Sequence, residues 1–285
     1  MRKISLMSAF CLLFLAFSSC QNKPQQNESE IDVHLMQFTT MFGEKGNLQQ
    51  VASIMKFSGI EYTPQLTLDT AIKASYTSTP QYAALICGVY SADALYHAAF
   101  SNSDAAFESY TSAQVLANHV GFGPFYVETL IQRRNDGLSE SDSVLFKLDN
   151  FLSEIDTTFT EEERFKIIAS YLIGNLIEKM YLIDAALTGF EGRKIKDISD
   201  EAKFVYRILF SESDAILYLT ELTRKYGHNP VLTIELAKLA ELFITLKNSE
   251  HPKYSPEDVF IPNAELKAIS DQIKRLREYI VAGNE

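Results

Sequence analysis

The chain has 285 residues, a net charge of −11, 46% hydrophobic residues and three cysteines. That acidity speaks against nucleic acid and against an electrostatic grip on anionic lipid, since both require a basic field. The length is ample for a large apolar core, so neither disulfides nor a structural metal is needed to hold a fold.

At the N-terminus, Met1-Arg2-Lys3 supplies a positive start and Ile4 to Phe17 an apolar run of signal-peptide length. The run is shorter than the roughly 20 residues a membrane-crossing helix needs, and a polar tail follows it. Phe17-Ser18-Ser19-Cys20 then places two small residues between an apolar residue and a cysteine. This resembles the lipobox of bacterial lipoproteins, with Phe17 where Leu is commonest. The resemblance implies removal of residues 1–19, a diacylglyceryl (palmitate-type) anchor on the Cys20 thiol and acylation of its new amine. The charge of −11 counts Arg2 and Lys3, so the mature chain is more acidic still.

Residues 20–30 are polar and hold no large apolar side chain before Ile31, so they read as a flexible tether. Each buried acyl methylene contributes about 0.8 kcal/mol, so several chains on Cys20 hold the protein to a membrane without help from its surface. In the lipoprotein class that the chain resembles, some members reach the cell surface through an acidic run directly after the cysteine; here Lys23 and glutamines occupy those positions, which favours the periplasmic face of the outer membrane. Cys11 leaves with the signal and Cys20 takes the lipid, leaving Cys87 in the apolar run Ala83 to Val89. A buried thiol acting as a small hydrophobe is expected there.

Residues 31–285 read as one all-α domain, a compact bundle of stacked antiparallel helical hairpins with about eleven helices. The expected helices are 31–43, 47–58, 64–77, 80–100, 103–120, 124–135, 139–156, 160–188, 199–226, 230–248 and 263–282. Thr63-Pro64, Thr79-Pro80, Asn229-Pro230 and Ser255-Pro256 each offer a capping oxygen followed by a proline suited to the first helical position. Thr160 and Glu163 form a capping-box pattern. Gly59, Gly121, Gly137, Gly189 and Gly227 fall where left-handed C-terminal caps are wanted. The helix from Thr160 is apolar almost all round, which marks it as central. Lys247 to Pro262, with three prolines, reads as a loop, and no 34-residue helical repeat is found.

An echo at about 85 residues relates Asp93-Ala94-Leu95-Tyr96, after Gly88, to Glu178-Lys179-Met180-Tyr181, after Gly174. Asp93 shares its helical face with Ile86, Val89, Tyr90, Tyr96 and His97, and Glu178 with Tyr171, Asn175, Tyr181 and Leu182, which are faces too apolar for a solvated carboxylate. Tyr90, Asp93, Tyr96, His97, Glu178 and Tyr181 are therefore the candidate buried polar site, with tyrosine hydroxyls or His97 expected to serve the acids. A satisfied structural network is the favoured reading, and a ligand pocket the alternative. Lys274, Arg275 and Arg277 read as a solvated face.

Motifs that bind metal or do chemistry are missing. No two histidines have zincin spacing, no Glu-x-x-His pair suits di-iron, and there is no Cys-x-x-Cys-His, Gly-x-Ser-x-Gly or P-loop. Asp93 and His97, at i and i+4, read as a local hydrogen bond rather than half of a metal site. Gly121-Phe122-Gly123-Pro124 reads as a helix stop and start, because Pro124 removes an amide an anion site would use. No cofactor or catalytic residue is expected, and an enzyme is the weakest of three readings. An envelope adaptor with a protein partner comes first. A periplasmic protein that binds a small molecule or ion around Asp93, His97 and Glu178 is the alternative.

Overall fold

The computed structural model describes residues 48–121, 159–226, 229–248 and 258–283. Among these residues the fold is all-α, with one isolated antiparallel bridge, Lys194 to Val259, as its extended pairing. The α-helices are α1 (Leu48–Phe57), α2 (Pro80–Ala99), α3 (Ser103–His119), α4 (Glu161–Thr188), α5 (Ile195–Ser211), α6 (Ser213–Lys225), α7 (Pro230–Asn248) and α8 (Ala264–Ala282). The expected helices 31–43, 124–135 and 139–156, and the glycine caps Gly137 and Gly227, lie outside the described residues, as do Cys20 and the tether.

Local chemistry starts most of these helices. Thr79 accepts the Tyr82 N–H ahead of Pro80, and Asn263 accepts from Leu266. Thr160 and Glu163 exchange both capping-box bonds, so two otherwise orphaned N–H groups are satisfied at the head of α4. Asn229 accepts from both Val231 and Leu232 beside Pro230. Gly59 and Gly121 are left-handed as expected, but Gly189 is right-handed and the left-handed turn falls at Gly192.

Two expected helices are corrected. Residues 64–77 form no α-helix: the short 3-10 turns Pro64–Leu66 and Ala74–Thr77 flank an extended stretch. Thr67, Asp69 and Thr70 are weak helix formers; the backbone of Leu68, Asp69 and Thr70 is instead bonded by side chains of neighbouring helices, and Asp69 turns back onto its own chain through the Ala71 N–H. The expected helix 199–226 is two helices that break at Glu212. There the Glu212 N–H tightens onto Leu209 and Phe210, and its buried carboxylate pairs with Lys179 of α4 at 2.8 Å. Eight α-helices rather than about eleven stand among the described residues; the two changes offset each other, and three expected helices lie outside those residues.

α4 is central, as its all-round apolar surface implies, and it packs on α2, α5, α6 and α8. α2 and α3 fold back on each other across three linking residues, and α7 packs on both α6 and α8. The central pair, α2 and α4, is not a hairpin of consecutive helices, and its two helices cross in the same direction. Leu85 lies beside Gly174, Gly88 beside Tyr171 and Asn175, and Asp93 beside Glu178. A Cβ on Gly174 would sit 1.9 Å from the Leu85 carbonyl oxygen, and one on Gly88 2.1 Å from that of Tyr171. The two glycines therefore let the backbones touch, and the echo between the segments corresponds to the two sides of one crossing.

Candidate functional site

The α2–α4 crossing carries the two acids into the interior, a few residues beyond the glycines. Asp93 and Glu178 are fully buried, as are Tyr90 and Tyr96, while His97 is nearly so and Tyr181 half-buried. All six candidate residues thus lie on α2 and α4, but they do not form one hydrogen-bonded cluster.

The acids act on each other's ionisation, and their cation comes from α8. Arg277 Nε donates to Glu178 Oε2 at 2.9 Å and Oε1 at 3.1 Å, and its Nη2 donates to the Leu66 carbonyl at 3.0 Å. The guanidinium also stacks over Tyr181, 4.4 Å from the ring centre. Arg277 was expected on a solvated face; here it is a largely buried ion-pair partner. Its neighbour Lys274 also reaches inward, to the buried Asp184 at 3.4 Å, where Ser270 donates to the same carboxylate. The sequence signal for these partners is faint: small polar and basic residues at positions 270, 274 and 277 recur at helical spacing on one side of α8.

Neither the tyrosine hydroxyls nor His97 serve the acids. Asp93 Oδ2 accepts the Leu68 N–H at 3.0 Å, whereas its Oδ1 is buried and has no protein donor. The Tyr90 hydroxyl donates to the Asp69 carbonyl at 2.6 Å, and the Tyr96 hydroxyl accepts the Thr63 N–H at 3.2 Å. His97 Nδ1 bonds to the Tyr62 hydroxyl at 2.7 Å, and Asn102 donates to that same hydroxyl. The expected Asp93–His97 pairing is thus replaced by a His97–Tyr62–Asn102 chain.

Electrostatics follows from this burial. Desolvation pushes Asp93 well above the ordinary carboxylate range, and the Glu178 charge adds to it, against the opposing pull of the Leu68 N–H and Arg277. Burial also raises Glu178, but Arg277 pulls it back by charge and hydrogen bond, so Asp93 is the acid with less opposing its rise. Burial alone lowers His97 to about 4, which keeps the imidazole neutral. Chemically, the cluster can hold a proton and fix the packing of three elements.

Cys87 is buried as expected, and its thiol donates to the Ala113 carbonyl. Among the described residues no group of three or more His, Cys, Asp or Glu is placed to hold a metal ion. No described helix is long and apolar enough to cross a membrane. Comparison with protein-family models, with curated proteins and with solved structures returns no match for this chain.

Proposed function

We propose that the chain is a lipid-anchored envelope protein, held by an acylated Cys20 at the periplasmic face of the outer membrane, whose stacked helices work as an adaptor for another envelope protein. The observation that carries this reading over a ligand pocket is the engagement of the buried polar groups. Glu178 is taken by Arg277, Arg277 by Glu178 and Leu66, His97 by Tyr62, and Tyr90 by Asp69, so these groups tie elements together rather than converge on a guest. Outward, α7 carries the exposed apolar side chains Val231, Ile234 and Ile244 with Lys238 and Glu241 between them.

The test purifies the lipidated chain gently from its own envelope and weighs it by native mass spectrometry. A stoichiometric polypeptide that is lost on Ile234→Glu supports the adaptor. A discrete small-molecule or ion mass that is lost on Glu178→Gln overturns it in favour of a ligand-binding interior. Separately, Cys20→Ser is expected to abolish labelling by radioactive palmitate and to release the chain from the envelope; retention of both would remove the anchor from the proposal.

A further inference from the structure

Residues 60–79 form a strap over α2, α3 and α8, and much of its backbone is fastened by side chains from those helices. Thr63 N–H bonds to Tyr96, Leu66 C=O to Arg277, Leu68 N–H to Asp93, Asp69 C=O to Tyr90 and Thr70 C=O to Ser112. Of these fasteners Asp93 depends on a second buried acid. Its Oδ1 meets no N–H or O–H of the protein, and its carboxyl lies close enough to that of Glu178 for each to act on the other's ionisation. Two ionised carboxylates are both acceptors, so a bond between them requires a proton on one of them. The charges agree: two acids face one guanidinium in a desolvated interior, and one retained proton leaves the cluster neutral.

Titratable and charged groups face the pair from several elements. α2 brings Tyr90 and Tyr96, α4 brings Tyr181 beneath the guanidinium, and α8 brings Arg277. The strap brings Tyr76 and Asp69, which act on Tyr90, while His97 is turned to Tyr62. Arg277 is the cation that acts on Asp93 and Glu178.

We propose that Asp93 and Glu178 hold one proton between them at neutral pH, and that this proton is the fastener of the strap. While it stays, the acids bond to each other and Asp93 keeps the Leu68 N–H. When it leaves for water, two buried anions face a single guanidinium and the strap loosens. Burial, which holds Asp93 above its ordinary range, sets the sign. A group whose folded affinity for a proton exceeds its unfolded one stabilises fully below its ordinary titration. That contribution is then lost as pH rises through the folded value, by about tenfold in the opening equilibrium per pH unit.

The experiment uses the full mature chain in two measurements. Infrared spectroscopy at neutral pH should show the carbonyl stretch of a protonated carboxylic acid, which disappears in Asp93→Asn. Hydrogen exchange read by mass spectrometry, corrected for the intrinsic rise of exchange with pH, should show protection of residues 63–70 falling about tenfold per pH unit on the alkaline side, while α7 stays unchanged. In Asp93→Asn the side-chain carbonyl accepts from Leu68 and the amide donates to Glu178 at every pH, so the fall should vanish. No protonated-acid band in the wild type, or an unaltered pH slope in Asp93→Asn, overturns the proposal. If Asp93→Asn fails to fold, the wild-type infrared band decides alone.

Discussion

Replacing Arg277 by Met tests whether the α8 side chain is what makes the buried acids tolerable. The pair it breaks is deep: Glu178 is 0% exposed and Arg277 15%, with both Glu178 oxygens within 3.1 Å of Nε. Removing one partner of a buried ion pair strands the other charge and costs about 3–5 kcal/mol. The lost bond to the Leu66 carbonyl adds about 1 kcal/mol. For a chain of this size a kilocalorie moves the melting point by roughly 2–4 °C, so the fall should be on the order of 10 °C. The double variant Glu178→Met with Arg277→Met removes both charges and keeps the volume apolar, which is often neutral or stabilising at such sites. It should therefore recover most of the loss, giving strong coupling in a double-mutant cycle. Urea denaturation of the four proteins measures it. An unchanged midpoint in Arg277→Met, or a double variant whose loss equals the sum of the singles, would refute the pairing.

Gly174→Ala should cost about 3 kcal/mol or more, because its Cβ would lie 1.9 Å from a backbone oxygen that cannot move without parting α2 from α4. The small stabilisation that Ala brings to an ordinary helical position, seen in a urea midpoint, would contradict the crossing. His97, lowered from 6.5 to about 4, is a group of depressed affinity. The stability it confers is present above about 6.5 and lost as pH falls towards 4, by on the order of 3 kcal/mol. A His97→Gln chain should lack this acid-side loss in pH-dependent denaturation, and identical profiles would count against the burial. Cys87 should resist thiol alkylation in the native chain and react at the rate of global unfolding; rapid labelling without denaturant would contradict its buried position.

Helix starts were legible because capping is local: Thr79, Thr160, Asn229 and Asn263 act within three residues of themselves. The burial of Asp93 and Glu178 was legible too, since each acid repeats with apolar neighbours at helical period. Thr63-Pro64 shows the limit. It offered the same local signal as Thr79-Pro80, yet yields a single 3-10 turn, because the backbone that follows is bonded by Asp93, Tyr90, Ser112 and Arg277 from distant parts of the chain. The break at Glu212 likewise accompanies a partner, Lys179, on another helix. Arg277 looked like a solvated residue because its helix shows many charges, and nothing within a turn of it reveals that Glu178 lies opposite. Sequence by itself determined the all-helical class, most helix starts and the burial of Asp93 and Glu178, since these depend on contacts within a few residues, though not the burial of Asp184 and Glu212. The strap, the parallel crossing at Gly88 and Gly174 and the choice of Arg277 as counter-ion were decided by tertiary structure, because each depends on groups that only packing brings together.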